Sequence, residues 1–341
     1  MNSRERVFAM LAGRPVDRLP LMPMTMMFAA DQAGVPYGRY ALEHGVLVQA
    51  QLATAERFEF DHVSAITETR EARDCGATIR YFENQPYAID ESQARLSEKS
   101  ELLGMVCPNP ESAPAMRDRL QAIRQLKHAI GASKVIEGWV EGPCGAAADL
   151  RGINTLMLDF HDDPAFVRDL FDFVLDVGLR FARAQMEAGA DLIGVGDPAT
   201  SLTGPRIYRD LIWHWHKRLV DGLHAMGVPM RLHICGNTRT ILSDIALLGV
   251  DILDVDSAVS MADARARTGE NQVLLGGIDP VRVLLNGTPA DVEAAVLRCR
   301  ADAGARYIVG AGCEVPRGTP AENLAVLRHC TGHLPAQPLS L

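Results

Sequence analysis

Eight short apolar runs limit most strongly how this chain can fold. Each ends in polar residues or glycine, and most lead into a stretch with helical period. The runs are RLPLMPMT (18–25), HVSAITE (62–68), KVIEGWVEGP (134–143), DLIGVGDP (191–198), MRLHICG (230–236), DILDVDS (251–257), VLLGGIDP (273–280) and RYIVGAGCEVP (306–316). Runs that are apolar throughout mark strands covered on both faces, as in parallel sheets. Helical segments fill the gaps. Residues 164–187 open on Asp163-Pro164 and carry Phe166, Leu170, Phe171, Val174, Leu175 and Leu179 on one stripe. Residues 206–226 place Ile207, Leu211, Trp215, Leu219 and Leu223 at helical spacing, and 288–303 begin Thr-Pro-Ala-Asp. Proline at the first helical position and a single apolar stripe both favour helix. In TPAEN (319–323), Thr319 as N-cap, Pro320 at N1 and Glu322 at N3 form a capping-box pattern.

Eight strands alternating with helices predict an α/β fold with a parallel sheet, closed as a (β/α)8 TIM barrel. The length of 341 residues would allow two domains, but single barrels run this long. The expectation is one barrel domain over residues 1–341. Residues 69–133 break the alternation: ATIRYFENQPYAID reads as a hairpin and 111–130 as a helix. They are expected to be an insertion between strands two and three.

Composition narrows the function classes. Hydrophobic residues make up 48% and charged residues 23%, as in a soluble enzyme. The net charge of -9, without a long basic run, argues against nucleic acid or an anionic membrane as the main partner. No apolar window reaches the roughly 18 residues of a membrane span. The start, MNSRERVFAMLAGRP, reads as an amphipathic helix without the apolar core of a secretory signal. Seven scattered cysteines fit free thiols in the cytoplasm better than a disulfide framework.

A barrel of this kind does its chemistry at the C-terminal strand ends. Those ends carry Glu141, Asp197, His233, Cys235, Asp254, Asp256, Asp279, Cys313 and Glu314. Residues two apart on a strand point the same way, so His233 and Cys235 share one side. Alone, His-x-Cys is equally an ordinary pair beside a turn, since cysteine packs as a small hydrophobe. With Cys313 at the end of the eighth strand, the set matches zinc, which takes imidazole and thiolate and leaves a position open in catalytic sites. Asp256 is a candidate fourth ligand or outer partner. Asp197-Pro198 and Asp279-Pro280 are either catalytic acids or turn caps. Met24, Met26, Met27 and Phe28 end the first run, where adaptable apolar side chains can line a pocket. His214 and His216 are expected to be partly exposed on their helix. Cys75, Cys107, Cys299 and Cys330 read as structural, and Cys144 as a minor rim candidate.

HICGNT (233–238), LGVDILDVDS (248–257), LLGGIDPVRVLLNGTP (274–289) and GAGCEVPRGTPAENL (310–324) resemble the uroporphyrinogen decarboxylase superfamily. More narrowly they resemble its zinc-dependent methylcobamide:coenzyme M methyltransferase branch. The resemblance implies a (β/α)8 barrel with zinc on His233, Cys235 and Cys313. A similar ligand set with an intervening acid, as in cobalamin-independent methionine synthase, supports Asp256. It implies transfer of a methyl group between a corrinoid and a small thiol, folate or methyl ether. Met24, Met26, Phe28 and Gly236 are candidates for the corrinoid side of the pocket, and Glu141 or Asp197 for an acid that protonates a leaving phenolate. Asp279 remains a further candidate acid. No Asp-x-His-x-x-Gly stretch is present, so the corrinoid is expected on a separate partner protein. Reverse transfer, an O-demethylase, stays open. True decarboxylases carry a Met-Arg-Gln-Ala-Gly-Arg segment whose arginines hold substrate carboxylates. Here LMPMTMMFAADQAGVPYGRY (21–40) keeps only Arg39. A basic pocket, and with it decarboxylation, is therefore not expected.

Overall fold

The computed structural model describes residues 1–332. Seven of the eight apolar runs form one parallel sheet. In chain order the strands are β1 (His62–Ser64), then β2 (Ile79–Arg80) and β3 (Ala88–Ile89) of a separate antiparallel hairpin, β4 (Val135–Glu141), β5 (Leu192–Gly196), β6 (Met230–His233), β7 (Ile252–Val255), β8 (Val273–Gly276) and β9 (Tyr307–Ile308). The large sheet runs β1-β4-β5-β6-β7-β8-β9, every neighbour parallel. Strand order thus follows chain order, as right-handed helical crossovers produce.

The first run, 18–25, does not become a ladder strand. Pro20 and Pro23 remove two of its N–H donors. What remains is a single parallel bridge, Leu21 to Val309. Met22 N donates to Val309 O at 2.9 Å, and Asp61 N donates to Leu21 O at 2.9 Å. The run therefore touches both the last strand and the residue before β1.

Helices pack against one another in succession outside the sheet. His44–Arg57 meets Pro114–Ile130, which meets Pro164–Ala188, which meets Trp213–Ala225. Met261–Thr268 meets Pro289–Ala303, which meets Ala321–His329. Pro114–Ile130 also packs on β4. It is the crossover from β1 to β4, so only the residues before it, with the hairpin, depart from the alternation expected to break over 69–133.

Three expected details need correction. The helix foreseen over 206–226 is divided by a π-helical stretch, Tyr208–Ile212, before Trp213–Ala225. The capping box at Thr319 does not form. Its hydroxyl donates to Pro316 O at 2.7 Å, and the helix starts at Ala321 with Pro320 as N-cap. His216 is fully buried rather than partly exposed. Thr288 does form a capping box with Asp291. Among the described residues no helix is long and apolar enough to cross a membrane, and all seven cysteines are free.

Candidate metal centre

Parallel register brings β4 to β7 to a common level. Glu141 is the partner of Gly196, Gly196 of His233, and His233 of Asp254. Paired residues in such a ladder share a face. Below this level the same face carries Glu137 on β4 and Arg231 on β6, both almost fully buried. Arg231 donates to Asp254 Oδ2 through Nη2 at 2.7 Å and Nε at 3.0 Å, and to Glu137 Oε1 through Nη1 at 3.1 Å. A buried guanidinium needs such paired acids. The network fixes Asp254, and Asp254 Oδ2 lies 3.3 Å from His233 Nδ1. That contact has ion-pair spacing without the alignment of a hydrogen bond, since Nδ1 has no aligned partner.

With Nδ1 turned to Asp254, His233 Nε2 faces Cys235 Sγ at 3.1 Å. Cys235 Sγ and Cys313 Sγ stand 3.9 Å apart. All three ligand atoms lie within 4.8 Å of one another, the one such group of His, Cys, Asp or Glu among the described residues. Tetrahedral zinc bonds, about 2.0–2.1 Å to nitrogen and about 2.3 Å to sulfur, place ligand atoms roughly 3.5–3.8 Å apart. One imidazole and two thiols at these spacings fit such an ion, with room for a fourth group.

Two glycines shape the cluster. Gly236 adopts φ +85, a left-handed conformation that turns the chain off the strand after Cys235. Its N–H donates to Asp256 Oδ2 at 2.8 Å. Gly312 precedes Cys313, and a Cβ there would lie 2.4 Å from Ser257 N. Only glycine lets the Cys313 loop press this closely on the end of β7.

Without a metal the cluster is polarised. The hydrogen bond from Cys235 stabilises the Cys313 thiolate against the cost of burial, and with help from His233 it brings Cys313 down to about 5. The same bond pushes the Cys235 thiol up. Burial opposes charge on His233, but Asp254 and Cys313 outweigh it and carry the imidazole up to about 10. The cluster can therefore present one thiolate beside one cation.

The other anticipated residues fall in different places. Asp256 lies outside the three-residue group, its carboxylate accepting Gly236 N and Ala258 N, both at 2.8 Å. Asp197 is fully buried. It accepts Cys144 N at 3.1 Å, Gly145 N at 2.8 Å and His216 Nε2 at 2.8 Å, so it caps the helix Pro143–Arg151. Asp279 accepts Val281 N and Arg282 N and caps the turn at Pro280. Phe28 is wholly inside, its ring 5.6 Å from that of Phe58, so it is core and not pocket lining. Met24 and Met26 are buried beside the Cys313 segment, where Val315 N donates to Met24 O at 2.9 Å. Glu141 stands at the strand end. Burial, then Glu71, pushes its carboxyl well above the usual range, despite Arg70.

Sequence reasoning missed Arg231 and Glu137. It also missed a cavity of about 260 Å³ whose walls carry Arg70, Arg73 and Arg119 together with the acids Glu68 and Asp118. Arg70 and Arg73 stand three residues apart on one short helix and Arg119 on a later one, all outside the segment where arginines were sought. The charged residues at 137 and 231 were detectable, because both interrupt apolar runs in phase with Glu141 and His233.

A parallel α/β sheet with an imidazole–dithiol cluster at its C-terminal strand ends defines the class of protein. The chain belongs to the uroporphyrinogen decarboxylase (URO-D) family, whose model matches residues 2–333. It is 30% identical over 339 residues to the methylcobamide:CoM methyltransferase MtbA of Methanosarcina mazei, covering 96% of each chain. It is 26% identical over 337 residues to the methylcobamide:CoM methyltransferase MtaA of Methanosarcina barkeri, covering 95% of this chain and 96% of that one. A solved methyltransferase from Methanosarcina mazei has the same fold, with a TM-score of 0.88, 23% identity, and 97% and 98% of the two chains covered.

Proposed function

We propose that this protein is a zinc-dependent methyltransferase that moves a methyl group between a corrinoid on a separate protein and a small substrate. The observation that carries the reading is the His233–Cys235–Cys313 cluster. We read the chain as one (β/α)8 barrel domain over residues 1–341, with 18–25 as the first stave and the insertion within 69–133, ending before the helix Pro114–Ile130. We place it in the cytoplasm, where seven scattered cysteines fit as free thiols.

His233, Cys235 and Cys313 would hold the ion. Bound there, zinc supplies Lewis acidity, making a coordinated thiol nucleophilic at neutral pH or weakening a methyl–oxygen bond. Asp254 orients His233 through Nδ1, and Arg231 holds Asp254. We assign the buried Met24 and Met26, beside the segment that carries Cys313, to the corrinoid side of the pocket. Glu141 favours a second reading, the O-demethylase direction. Burial raises its carboxyl above the usual range, level with His233 across β5, which suits Oε to give a proton to a departing oxyanion. The decarboxylase reading fits less well, because the segment 21–40 keeps only Arg39 to hold substrate carboxylates.

The test is loss of methylcobalamin absorbance, free or on a corrinoid protein, with a panel of thiols, folates and aryl methyl ethers. One substrate class should react, and Cys313→Ala should abolish the reaction. No reaction with any of them would overturn the proposal.

A further inference from the structure

The face of the sheet that carries His233 also carries a line of charge that the fold does not require. Parallel strands covered on both faces are filled by apolar side chains as a rule. A buried ion network is often no more stable than apolar residues of similar volume. Yet Glu137, Arg231 and Asp254 are 1%, 0% and 2% exposed. Register sets them at three successive levels. Asp254 is level with His233. Arg231 stands two residues lower on β6, level with Gly194 on β5 and Trp139 on β4. Glu137 is two residues lower again on β4. Gly194 makes room for this stack, because a Cβ there would meet the Trp139 ring at 2.1 Å. The indole therefore lies over β5, with the Arg231 guanidinium 6.0 Å from the ring centre.

The hydrogen bonds along the line have a direction. Arg231 Nη2 and Nε converge on Asp254 Oδ2, at 2.7 and 3.0 Å. The same oxygen lies 3.3 Å from His233 Nδ1. Asp254 Oδ1 has no hydrogen-bond partner, and neither has His233 Nδ1. The carboxylate thus takes its orientation from Arg231. At the far end of the guanidinium, Nη1 lies 3.1 Å from Glu137 Oε1 and 3.4 Å from Oε2. Glu137 sits in mid-strand, paired with Ser64 of β1. A guanidinium is rigid and planar, so an acid that fixes one of its nitrogens fixes the other two.

We propose that Glu137 is a positioning residue for the metal centre: through Arg231 and Asp254 it sets the angle at which His233 presents Nε2 beside Cys235 and Cys313. The proposal rests on the zinc reading of that cluster.

Zinc affinity tests it, measured on the full-length protein by competition with chromophoric chelators of matched strength. Four forms make a double-mutant cycle: wild type, Glu137→Gln, His233→Ala and the two combined. Glu137→Gln keeps the shape and removes the charge. With His233 present it should weaken zinc about three- to tenfold, less than a change in a group that touches the ligand itself. In His233→Ala the two thiols hold zinc more weakly, and there Glu137→Gln should change nothing, because the ligand it orients is gone. A general loosening of the fold would weaken zinc equally in both backgrounds. An equal loss in both therefore overturns the proposal, and so does unchanged affinity when His233 is present. Thermal melts of each form accompany the cycle. If Glu137→Gln does not fold, Glu137→Asp, which keeps the charge one methylene short, takes its place with the same expected pattern. A wild type that binds no zinc overturns the zinc reading and this proposal together, whereas zinc binding that ignores Glu137 overturns this proposal alone.

Discussion

At the scale of single residues, Asp254 decides which way His233 faces. Asp254→Asn keeps the shape and removes the charge that holds Nδ1. Zinc affinity, measured by competition with a chromophoric chelator, should fall about 10–100-fold; unchanged affinity would mean that the imidazole is positioned by packing alone. Asp197 makes the opposite case. Its three partners are two backbone N–H groups and a buried histidine. Asp197→Ala should cost about 2 kcal/mol or more of stability in denaturant melts, from the lost cap and the orphaned His216, while zinc content stays unchanged. The cluster of His233, Cys235 and Cys313 was legible because strand alternation and strand ends are local. The role of Asp197 was not, because the chain that buries it comes from residues 144, 145 and 216.

At the scale of elements, the Cys313 loop is held by contact rather than by secondary structure. Gly312 N donates to Ile278 O at 2.7 Å, and the glycine has no room for a side chain against Ser257. Gly312→Ala should push the loop outward, costing about 1–3 kcal/mol and weakening zinc binding in the same chelator assay. Full zinc affinity in this variant would show that the loop adapts. The helices were read from their stripes and their first-turn prolines, and those signals held for Pro164–Ala188 and Pro289–Ala303. They failed where a nearby carbonyl competed, as Pro316 O, three residues back, does for Thr319; the strand reading failed where proline removed ladder donors, as in 18–25.

For the whole molecule, the interior between the sheet and its neighbouring turns collects acids that carry a cost in charged form. Burial, then Glu71, pushes the Asp149 carboxyl up to about 7, against the pull of Arg70. An ordinary aspartate titrates near about 3.9. Between those values the folded chain keeps a proton that the unfolded chain has released. This contribution therefore makes stability fall as pH rises from about 4 to about 7. Asp149→Asn should flatten that fall in melts at about pH 5 and about pH 7.5; an unchanged difference would contradict the assignment. The order of the parallel strands was legible because each run is continuous and a helical stretch separates it from the next. The arginine cavity was not, because it joins side chains from the short helix Arg70–Asp74 and from the crossover helix Pro114–Ile130. The central claim, that the three strand-end ligands hold a metal, is tested most directly by elemental analysis of the purified protein. About one zinc per chain in wild type, lost in Cys313→Ala with the fold intact, is the predicted result. A folded wild-type protein that neither carries zinc nor takes it up on addition would contradict it.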